Sequence, residues 1–183
     1  MTFNRTPRAL SALDSVTLER LALDYVSRYA TSRAKLRAYL IRKLSERGWA
    51  EEEGGLRAEE VVDALVGRFA ERGYVDDRAL ADARARSMTA RGYGARRLSG
   101  ALRALGISDE DAADARGTAD GHAWEAALRF ARRRRICPFA TKPLDEGARR
   151  RAFAAMMRAG HAPELAKRIV AAAPGDVPSR DGG

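Results

Sequence analysis

The sequence predicts an all-α protein, and three observations support that prediction. The 183 residues include 37 alanines and 30 arginines, both good helix formers, but only 12 valines and isoleucines, which strands prefer. Between residues 16 and 173, apolar residues recur at intervals of three and four, the spacing that places them on one face of a helix. Glycines follow these apolar segments, as they do where helices end. We therefore expect helices and no β-sheet.

The segment 16–75 predicts a first repeat of three helices. Its first helix carries an apolar stripe. Ser32 is a favourable N-cap for the second helix, which continues until Gly48. A third apolar stripe ends at Gly73, so this segment contains one complete three-helix unit.

Two further repeats follow over 76–119 and 120–173. In the second repeat, Asp76 or Asp77 can cap the first helix, and Ser108 begins a sequence typical of a capping box for the third. In the third repeat, a proline followed by a glutamate opens the last helix.

Three glycines indicate that these segments are copies of one unit. Gly48, Gly106 and Gly160 are separated by 58 and 54 residues, and an apolar residue stands both four and eight positions before each. A unit of this size is too small to bury a core by itself, so we expect three repeats stacked into an elongated array. The apolar residues are Leu44 and Leu40, Leu102 and Leu98, and Met156 and Ala152.

The two ends of the chain are expected to be disordered. Residues 1–15 are polar and show little periodicity, and residues 174–183 are rich in proline and glycine. We therefore place the folded part of the chain at about 16–173.

The balance of charges favours an anionic partner. The net charge is +9, from 34 basic and 25 acidic side chains, and arginine supplies nearly all of the basic ones. Guanidinium groups bind phosphate and carboxylate with two parallel hydrogen bonds and stay charged. Genomic base composition would also raise arginine over lysine, but that bias does not decide where the arginines lie.

Composition also excludes several classes of function. One cysteine and two histidines cannot assemble a Cys/His zinc site or a disulfide framework, and we expect Cys137 to be a reduced thiol in a cytoplasmic protein. No apolar segment approaches the roughly 20 residues that span a bilayer. His122 and His161 lack a nucleophile or carboxylate at a suitable spacing, so we expect both to be surface or capping residues. We expect no enzymatic activity, no cofactor and no metal.

Basic residues accompany the helices of all three repeats. Lys35 and Arg42 lie seven positions apart, on the face opposite the leucines of the second helix. No acidic residue lies within four positions of the run 132–135, which therefore lacks the pairing usual on a helix surface. Tyr93 and Phe139 lie in basic loops and could stack on bases, although core packing is the favoured interpretation. We predict that ten residues bind anions or an acidic partner: Lys35, Arg42, Arg96, Arg97, Arg132, Arg133, Arg134, Arg135, Arg149 and Arg150.

Three motifs identify a known family. The chain reads YATSRAKL at 29–36, GYVDDRALA at 73–81 and GYGARRL at 92–98. Together they resemble the RecX family, bacterial regulators of the RecA recombinase, and the resemblance covers most of 20–173. The segment 129–143 is similar to an arginine-rich version of the last repeat of that family.

Three features depart from the family pattern. Leu80 stands where the family usually has phenylalanine, and Lys35 where it often has glutamate. The loop at 51–57 is longer and more acidic than usual. These departures affect the details of the expected contact with the partner more than the resemblance to the family.

The resemblance implies tandem three-helix repeats that lie along or cap a RecA filament on single-stranded DNA. It also implies suppression of the ATPase, coprotease and strand-exchange activities of that filament. The expected partners are the filament and its single-stranded DNA, with weak binding to duplex DNA, and the protein is expected to be a monomer. The ten basic residues would then contact filament carboxylates and DNA phosphates, while Asp76 and Asp77 would cap and orient the second repeat.

One alternative stays open at this point. Each repeat joins its helices by short turns, as helix-turn-helix modules do, so a DNA-binding transcriptional or architectural protein is the second interpretation. An enzyme acting on nucleic acid is disfavoured because no catalytic cluster is present.

Overall fold

The computed structural model describes residues 11–50 and 57–180, and that part of the chain contains nine α-helices and no β-strand. The ends of the chain beyond these ranges, and most of the acidic loop at 51–57, lie outside the described residues. An isolated parallel bridge joins Leu13 and Trp49. The prediction of an all-α protein is confirmed. The helices are α1 (Ser15–Arg28), α2 (Arg33–Arg47), α3 (Ala58–Glu71), α4 (Asp77–Ala90), α5 (Ala95–Ala104), α6 (Ala113–Gly121), α7 (Ala123–Arg134), α8 (Glu146–Arg158) and α9 (Pro163–Ala171).

The chain divides into two compact units, Met1–Asp76 and Asp77–Gly183. The first unit contains α1 to α3 around one apolar core. The second unit contains α4 to α9 around two cores, one built mainly by α4 to α6 and the other by α7 to α9. Each core thus belongs to three consecutive helices, and the last two sets of three form one compact unit.

Leucines on the inner faces of the helices hold the first unit together. Leu18, Leu36 and Leu40 are fully buried, and burying a side chain of this kind contributes about 1.5–3 kcal/mol. Asp14 and Ser32 cap α1 and α2 by accepting hydrogen bonds from backbone N–H groups three positions further on, at 2.8 and 3.2 Å. The predicted Ser32 cap is therefore confirmed.

The three repeated glycines end the second helix of each set. Gly48, Gly106 and Gly160 have φ angles of 78°, 70° and 90°, in a region that other residues avoid. The residue after Gly106 donates its N–H to the carbonyl of Leu102 at 3.2 Å, and the residue after Gly160 donates to Met156 at 3.2 Å. Such bonds satisfy carbonyls that a helix end leaves unpaired. Gly106 and Gly160 thus mark equivalent turns, whereas Gly48 donates its own N–H to the carbonyl of Leu44 at 2.7 Å.

The backbones of the second and third sets of helices meet where α5 begins and α8 ends. The N–H groups of Gly94 and Arg96 donate to the carbonyls of Ala159 and Gly160 at 2.9 and 3.2 Å. Both helix ends have unpaired backbone groups, so each satisfies the other. A Cβ atom on Gly94 would lie 2.3 Å from the Gly160 oxygen, so this contact requires glycine.

The structure differs from the predicted disorder at 11–15 and 174–180, while the rest of the two predicted tails, 1–10 and 181–183, lies outside the described residues. Leu13 is fully buried in the first core, and its N–H donates to the Gly48 carbonyl at 2.9 Å. Near the other end, the Gly175 N–H donates to the Pro138 carbonyl at 2.8 Å, and Arg168 donates to a carbonyl twelve positions further along. A single apolar residue and isolated backbone contacts have no periodicity, so the pattern of the sequence does not reveal them.

The start of α6 also differs from the prediction. Ser108 makes the expected capping contacts, because its Oγ accepts the N–H of Asp111 at 3.1 Å and donates to the carboxylate of that residue at 2.8 Å. The residues that follow form a turn, however, and the α-helix itself begins at Ala113.

Candidate binding surface

A cationic cleft of about 320 Å³ lies in the second unit, between α5, α7 and α8. It brings together four guanidinium groups and two aromatic rings. We call it the arginine cleft, and its lining residues are Tyr93, Arg97, Phe130, Arg133, Arg134, Ala155, Arg158 and Ala159.

Two arginines fasten α7 to the C-terminal end of α4. Arg129 Nη1 donates to the carbonyl of Thr89 at 3.1 Å, and Arg133 Nη1 donates to that of Arg91 at 2.6 Å. The last carbonyls of a helix lack partners and carry partial negative charge, so cations are stabilised beside them. This contact holds the last turn of α7 at the edge of the arginine cleft.

The aromatic rings orient the guanidinium groups of the arginine cleft. The Cζ atom of Arg97 lies 4.4 Å from the ring centroid of Tyr93. Those of Arg133 and Arg134 lie 5.7 and 5.9 Å from the centroid of Phe130. Cation–π contacts attract a guanidinium without neutralising its charge, so the N–H groups of the three arginines that are not bonded to backbone carbonyls stay available to an anion.

No carboxylate among the described residues forms an ion pair with an arginine of this cleft. A guanidinium without an acidic partner keeps its full attraction for phosphate or carboxylate, so the cleft can bind an oxyanion from several sides. The ion pairs of the second unit include Arg78–Asp114, Arg116–Asp109, Arg150–Glu146, Lys167–Glu164 and Arg180–Glu125.

Of the eight predicted anion-binding residues in the second unit, the structure brings three together and places five elsewhere on that unit. Arg97, Arg133 and Arg134 line the arginine cleft. Arg132 lies over the ring of Phe139 at 4.8 Å, and Arg96 is exposed on α5.

The remaining predicted residues of the second unit lie around other depressions. Arg135 follows α7 in a left-handed conformation, with φ of 53°, and lines a depression beside Lys142. Arg149 and Arg150 lie on α8 beside an apolar groove, and Arg150 is bonded to Glu146. In the first unit, Lys35 and Arg42 are both exposed on α2.

One arginine of the cleft was not predicted. Arg158 lies in the last turn of α8, and the positions equivalent to it in the glycine register are Glu46 and Ala104. The repeat therefore contains no signal for a cation there.

The sequence allows Tyr93 to stack on bases, but in the structure it packs against the cores of both the second and the third set of helices. The core-packing interpretation of Tyr93 is therefore correct.

The prediction of a surface or capping role is confirmed for one histidine and wrong for the other. His122 is exposed between α6 and α7, with Nδ1 2.8 Å from the carbonyl of Thr118. His161 is 1% exposed, and its ring centroid lies 5.5 Å from that of Phe130. Burial lowers the pKa of His161 to about 4, and the backbone of Gly92 opposes this shift. The turn after α8 is covered by the preceding set of helices, which a local sequence pattern cannot show.

The described residues offer neither a metal site nor a membrane span. Within residues 11–50 and 57–180, no three His, Cys, Asp or Glu side chains are grouped so that they could hold a metal ion. In the same part of the chain, no helix has the length and apolar character needed to cross a membrane.

Comparison with known proteins identifies related chains. The family model of the RecX second three-helix domain matches residues 76–115. The chain is 33% identical over 171 residues to the regulatory protein RecX of Myxococcus xanthus, covering 91% of this chain and 90% of that one. It is also 33% identical over 153 residues to the regulatory protein RecX of Mycobacteroides abscessus, covering 81% of this chain and 70% of that one.

Solved structures show the same fold. The crystal structure of RecX from Lactobacillus salivarius matches with a TM-score of 0.60 and 15% identity, covering 85% of this chain and 94% of that one. A second crystal structure of regulatory protein RecX matches with a TM-score of 0.59 and 20% identity, covering 85% of this chain and 70% of that one. These likenesses establish the three-helix-repeat fold. Because identity to the curated relative from Myxococcus xanthus extends over nearly the whole of both chains, this chain belongs to the RecX family.

Proposed function

We propose that this chain is a non-enzymatic, cytoplasmic regulator that binds the RecA filament on single-stranded DNA and inhibits its ATPase, coprotease and strand-exchange activities. Membership of the RecX family supports this proposal. The observation that carries it is the arginine cleft, where four guanidinium groups without ion-pair partners among the described residues surround one concave surface.

The chemistry of the arginine cleft suits a partner that consists of both protein and DNA. Guanidinium groups bind carboxylates and phosphates with similar geometry, and a nucleoprotein filament offers both. The third repeat, predicted at 120–173, contains 12 basic but only 5 acidic side chains. A local excess of this size raises the attraction for a polyanion and its rate of association.

The other predicted residues remain proposed contacts outside the arginine cleft. They are exposed on helices of both units or follow them, where long side chains can reach phosphates without a concave site. They are Lys35, Arg42, Arg96, Arg132, Arg135, Arg149 and Arg150.

The proposed function can be tested by measuring ATP hydrolysis by the recombinase on single-stranded DNA while this protein is added below stoichiometry. We expect the rate to fall at low salt, and the inhibition to weaken as salt rises, because phosphate contacts release counterions. Unchanged hydrolysis and an intact filament at low salt would contradict the proposal.

A parallel experiment distinguishes the helix-turn-helix alternative. The protein alone is titrated with duplex DNA of many sequences, in the absence of the recombinase. A RecA regulator should show weak binding that does not depend on sequence. Tight, sequence-selective binding with a fixed half-site spacing would favour a transcriptional or architectural protein instead.

A further inference from the structure

The first unit contains a second cleft, of about 540 Å³, between α1 and α2. Its volume is within the range of about 300–1,000 Å³ that is usual for small-molecule sites. It contains three of the five tyrosines of the chain. We call it the tyrosine cleft, and its lining residues are Leu21, Asp24, Tyr25, Arg28, Tyr29, Tyr39, Arg42 and Lys43.

The three tyrosines form a short aromatic stack that ends in solvent. The rings of Tyr25 and Tyr39 are stacked, with centroids 4.2 Å apart and an interplanar angle of 14°. The ring of Tyr29 lies 5.3 Å from that of Tyr25 and is tilted by 49°. Tyr29 is 58% exposed, which leaves much of its ring uncovered. An exposed ring beside a stacked pair is a suitable platform for a planar aromatic ligand.

Cations lie beside this aromatic stack. Arg42 Cζ and Lys43 Nζ lie 5.7 and 6.0 Å from the ring centroid of Tyr39. Lys43 is paired with Glu46 at 2.6 Å, whereas no ion pair engages Arg28 or Arg42 within the described part of the chain. Two guanidinium groups that line the tyrosine cleft are therefore available to a phosphate.

Asp24 narrows the choice of ligand. An acidic peptide would be attracted by the arginines, but it would be repelled by this carboxylate and would leave the rings unused. A nucleobase stacks on aromatic rings, and its ring or exocyclic N–H groups can donate to a carboxylate. A nucleotide therefore matches the rings, the cations and the carboxylate together.

We infer that the tyrosine cleft, which Tyr39 also lines, binds one nucleotide, with its base against the exposed ring of Tyr29 and its phosphate on Arg28 and Arg42. The nucleotide can be a free mononucleotide or an unpaired residue of a single strand, since both present the same base and phosphate. The inference does not rest on the proposed function, because binding here requires no recombinase.

Photocrosslinking of the full chain tests this inference. A short single strand that contains 5-iododeoxyuridine is irradiated with the protein, without recombinase and below saturation, and the crosslinked peptides are identified by mass spectrometry. We expect crosslinks at Tyr29 and Tyr39. Tyr29→Leu should lower the yield at Tyr39 by about 5-fold to 150-fold, the effect of losing one stacking contact.

A charge-matched pair of variants tests the phosphate contact. Arg42→Gln should lower the yield at Tyr39, whereas Arg72→Gln, an exposed position on the same unit that does not line the cleft, should leave it unchanged. Arg42 is exposed on α2, so its loss should not unfold the chain, and unfolding by urea checks this.

Competition distinguishes the two sources of the nucleotide. If thymidine monophosphate protects the tyrosines, the cleft accepts a free nucleotide; if only unlabelled single strands protect them, it holds an unpaired residue of a strand. Both results support the inference. Crosslinks confined to the second unit, or equal yields from Arg42→Gln and Arg72→Gln, would overturn it. The inference also stands if the protein crosslinks here but fails to inhibit the recombinase.

Discussion

The two units share the three-helix repeat but differ in how they use their charges. The first, Met1–Asp76, contains 13 basic and 12 acidic side chains, whereas the second, Asp77–Gly183, contains 21 and 13. In the first unit, Arg37 and Lys43 of α2 pair with the carboxylates of Asp63 and Glu46, both at 2.6 Å. In the second unit, the arginines of α7 contact ring faces and helix-end carbonyls instead. One fold therefore supports a nearly neutral unit and a strongly cationic one.

The difference shows what a second set of helices adds. The arginine cleft takes Tyr93 and Arg97 from one set of helices and the rest of its lining from the next. A single set of three helices could not form it. The backbone contact between α5 and α8 holds the two sets at the distance that the cleft requires. Substitutions at this contact should therefore have the largest effect on the second unit and the smallest on the first.

The largest effect is expected from Gly160→Ala. A Cβ atom here would lie 2.4 Å from the backbone nitrogen of Arg97, and the φ angle is 90°, so we expect a loss of about 3–5 kcal/mol of unfolding free energy. Gly48 is the equivalent position in the first unit, and a Cβ there has no atom within 4 Å. Gly48→Ala should cost only the strain of its backbone, about 1–3 kcal/mol. Urea unfolding followed by circular dichroism measures both, and equal costs would show that the close contact is unimportant.

The second effect is a pH dependence of stability from histidine, which belongs to the second unit because both histidines of the chain lie in it. The pKa of His161 is about 4 in the folded chain, below its value of about 6.5 in the unfolded chain. Protonation therefore favours unfolding, and the stability that is complete above about pH 6.5 decreases as the pH falls towards 4. We expect a loss of about 2 kcal/mol between pH 7 and pH 5.

The control for this pH dependence is His161→Gln, which should unfold with nearly the same free energy at pH 7 and pH 5. Three carboxyls of the first unit, those of Asp14, Glu46 and Asp63, have a pKa lowered by hydrogen bonds to Thr17, Lys43 and Arg37. The stability that these carboxyls contribute is lost only at a more acidic pH, so it does not obscure the effect of His161 between pH 7 and pH 5. An equally steep pH dependence in the variant would assign the effect to other groups.

A smaller effect is expected at the start of the second unit. α4 begins at Asp77, a buried carboxylate in the first helical turn, where negative charge is stabilising, so Asp77→Ala should cost about 1 kcal/mol of stability. Ser32→Ala, which removes the cap of α2 in the first unit, should cost a similar amount. Neither change should reduce the affinity for the filament at a temperature where the chain is folded. A selective loss of filament binding by Asp77→Ala would show that this carboxylate itself binds the filament.

Local patterns in the sequence were sufficient for most of the helices and their ends, although not for the start of α6. The spacing of leucines, the Ser32 cap and the glycine register all depend on neighbours within a few positions, so they could be predicted. The burial of His161 and the grouping of Arg158 with Arg97 depend on residues about 60 positions apart. Such contacts arise from packing between the sets of helices and have no period in the sequence.

The arginines at the end of α7 also show what local sequence can and cannot predict. The sequence shows that the run 132–135 lacks acidic neighbours, but the four arginines have different surroundings in the structure. Arg133 and Arg134 line the arginine cleft, Arg132 covers a phenylalanine ring, and Arg135 leaves the helix in a left-handed conformation. The end of α7 and the position of α4 decide this distribution, and neither follows from counting charges.

The central claim is that inhibition of the recombinase depends on the arginine cleft and not on basic charge in general. Two double variants with the same reduction in charge test it: Arg97→Gln with Arg134→Gln in the cleft, and Arg20→Gln with Arg72→Gln on the first unit. All four arginines are exposed, so both variants should fold. The readout is the concentration of each protein that halves ATP hydrolysis by the recombinase on single-stranded DNA, at several salt concentrations.

We expect the cleft variant to require about tenfold more protein, which corresponds to about 1.4 kcal/mol of binding free energy. Its salt dependence should also become less steep, by about 0.7 in the logarithmic slope for each phosphate that the protein no longer binds. The first-unit variant should stay within about twofold of the unaltered protein, by the same conversion. Equal weakening of the two variants would contradict the account, because inhibition would then follow net charge and not the arginine cleft.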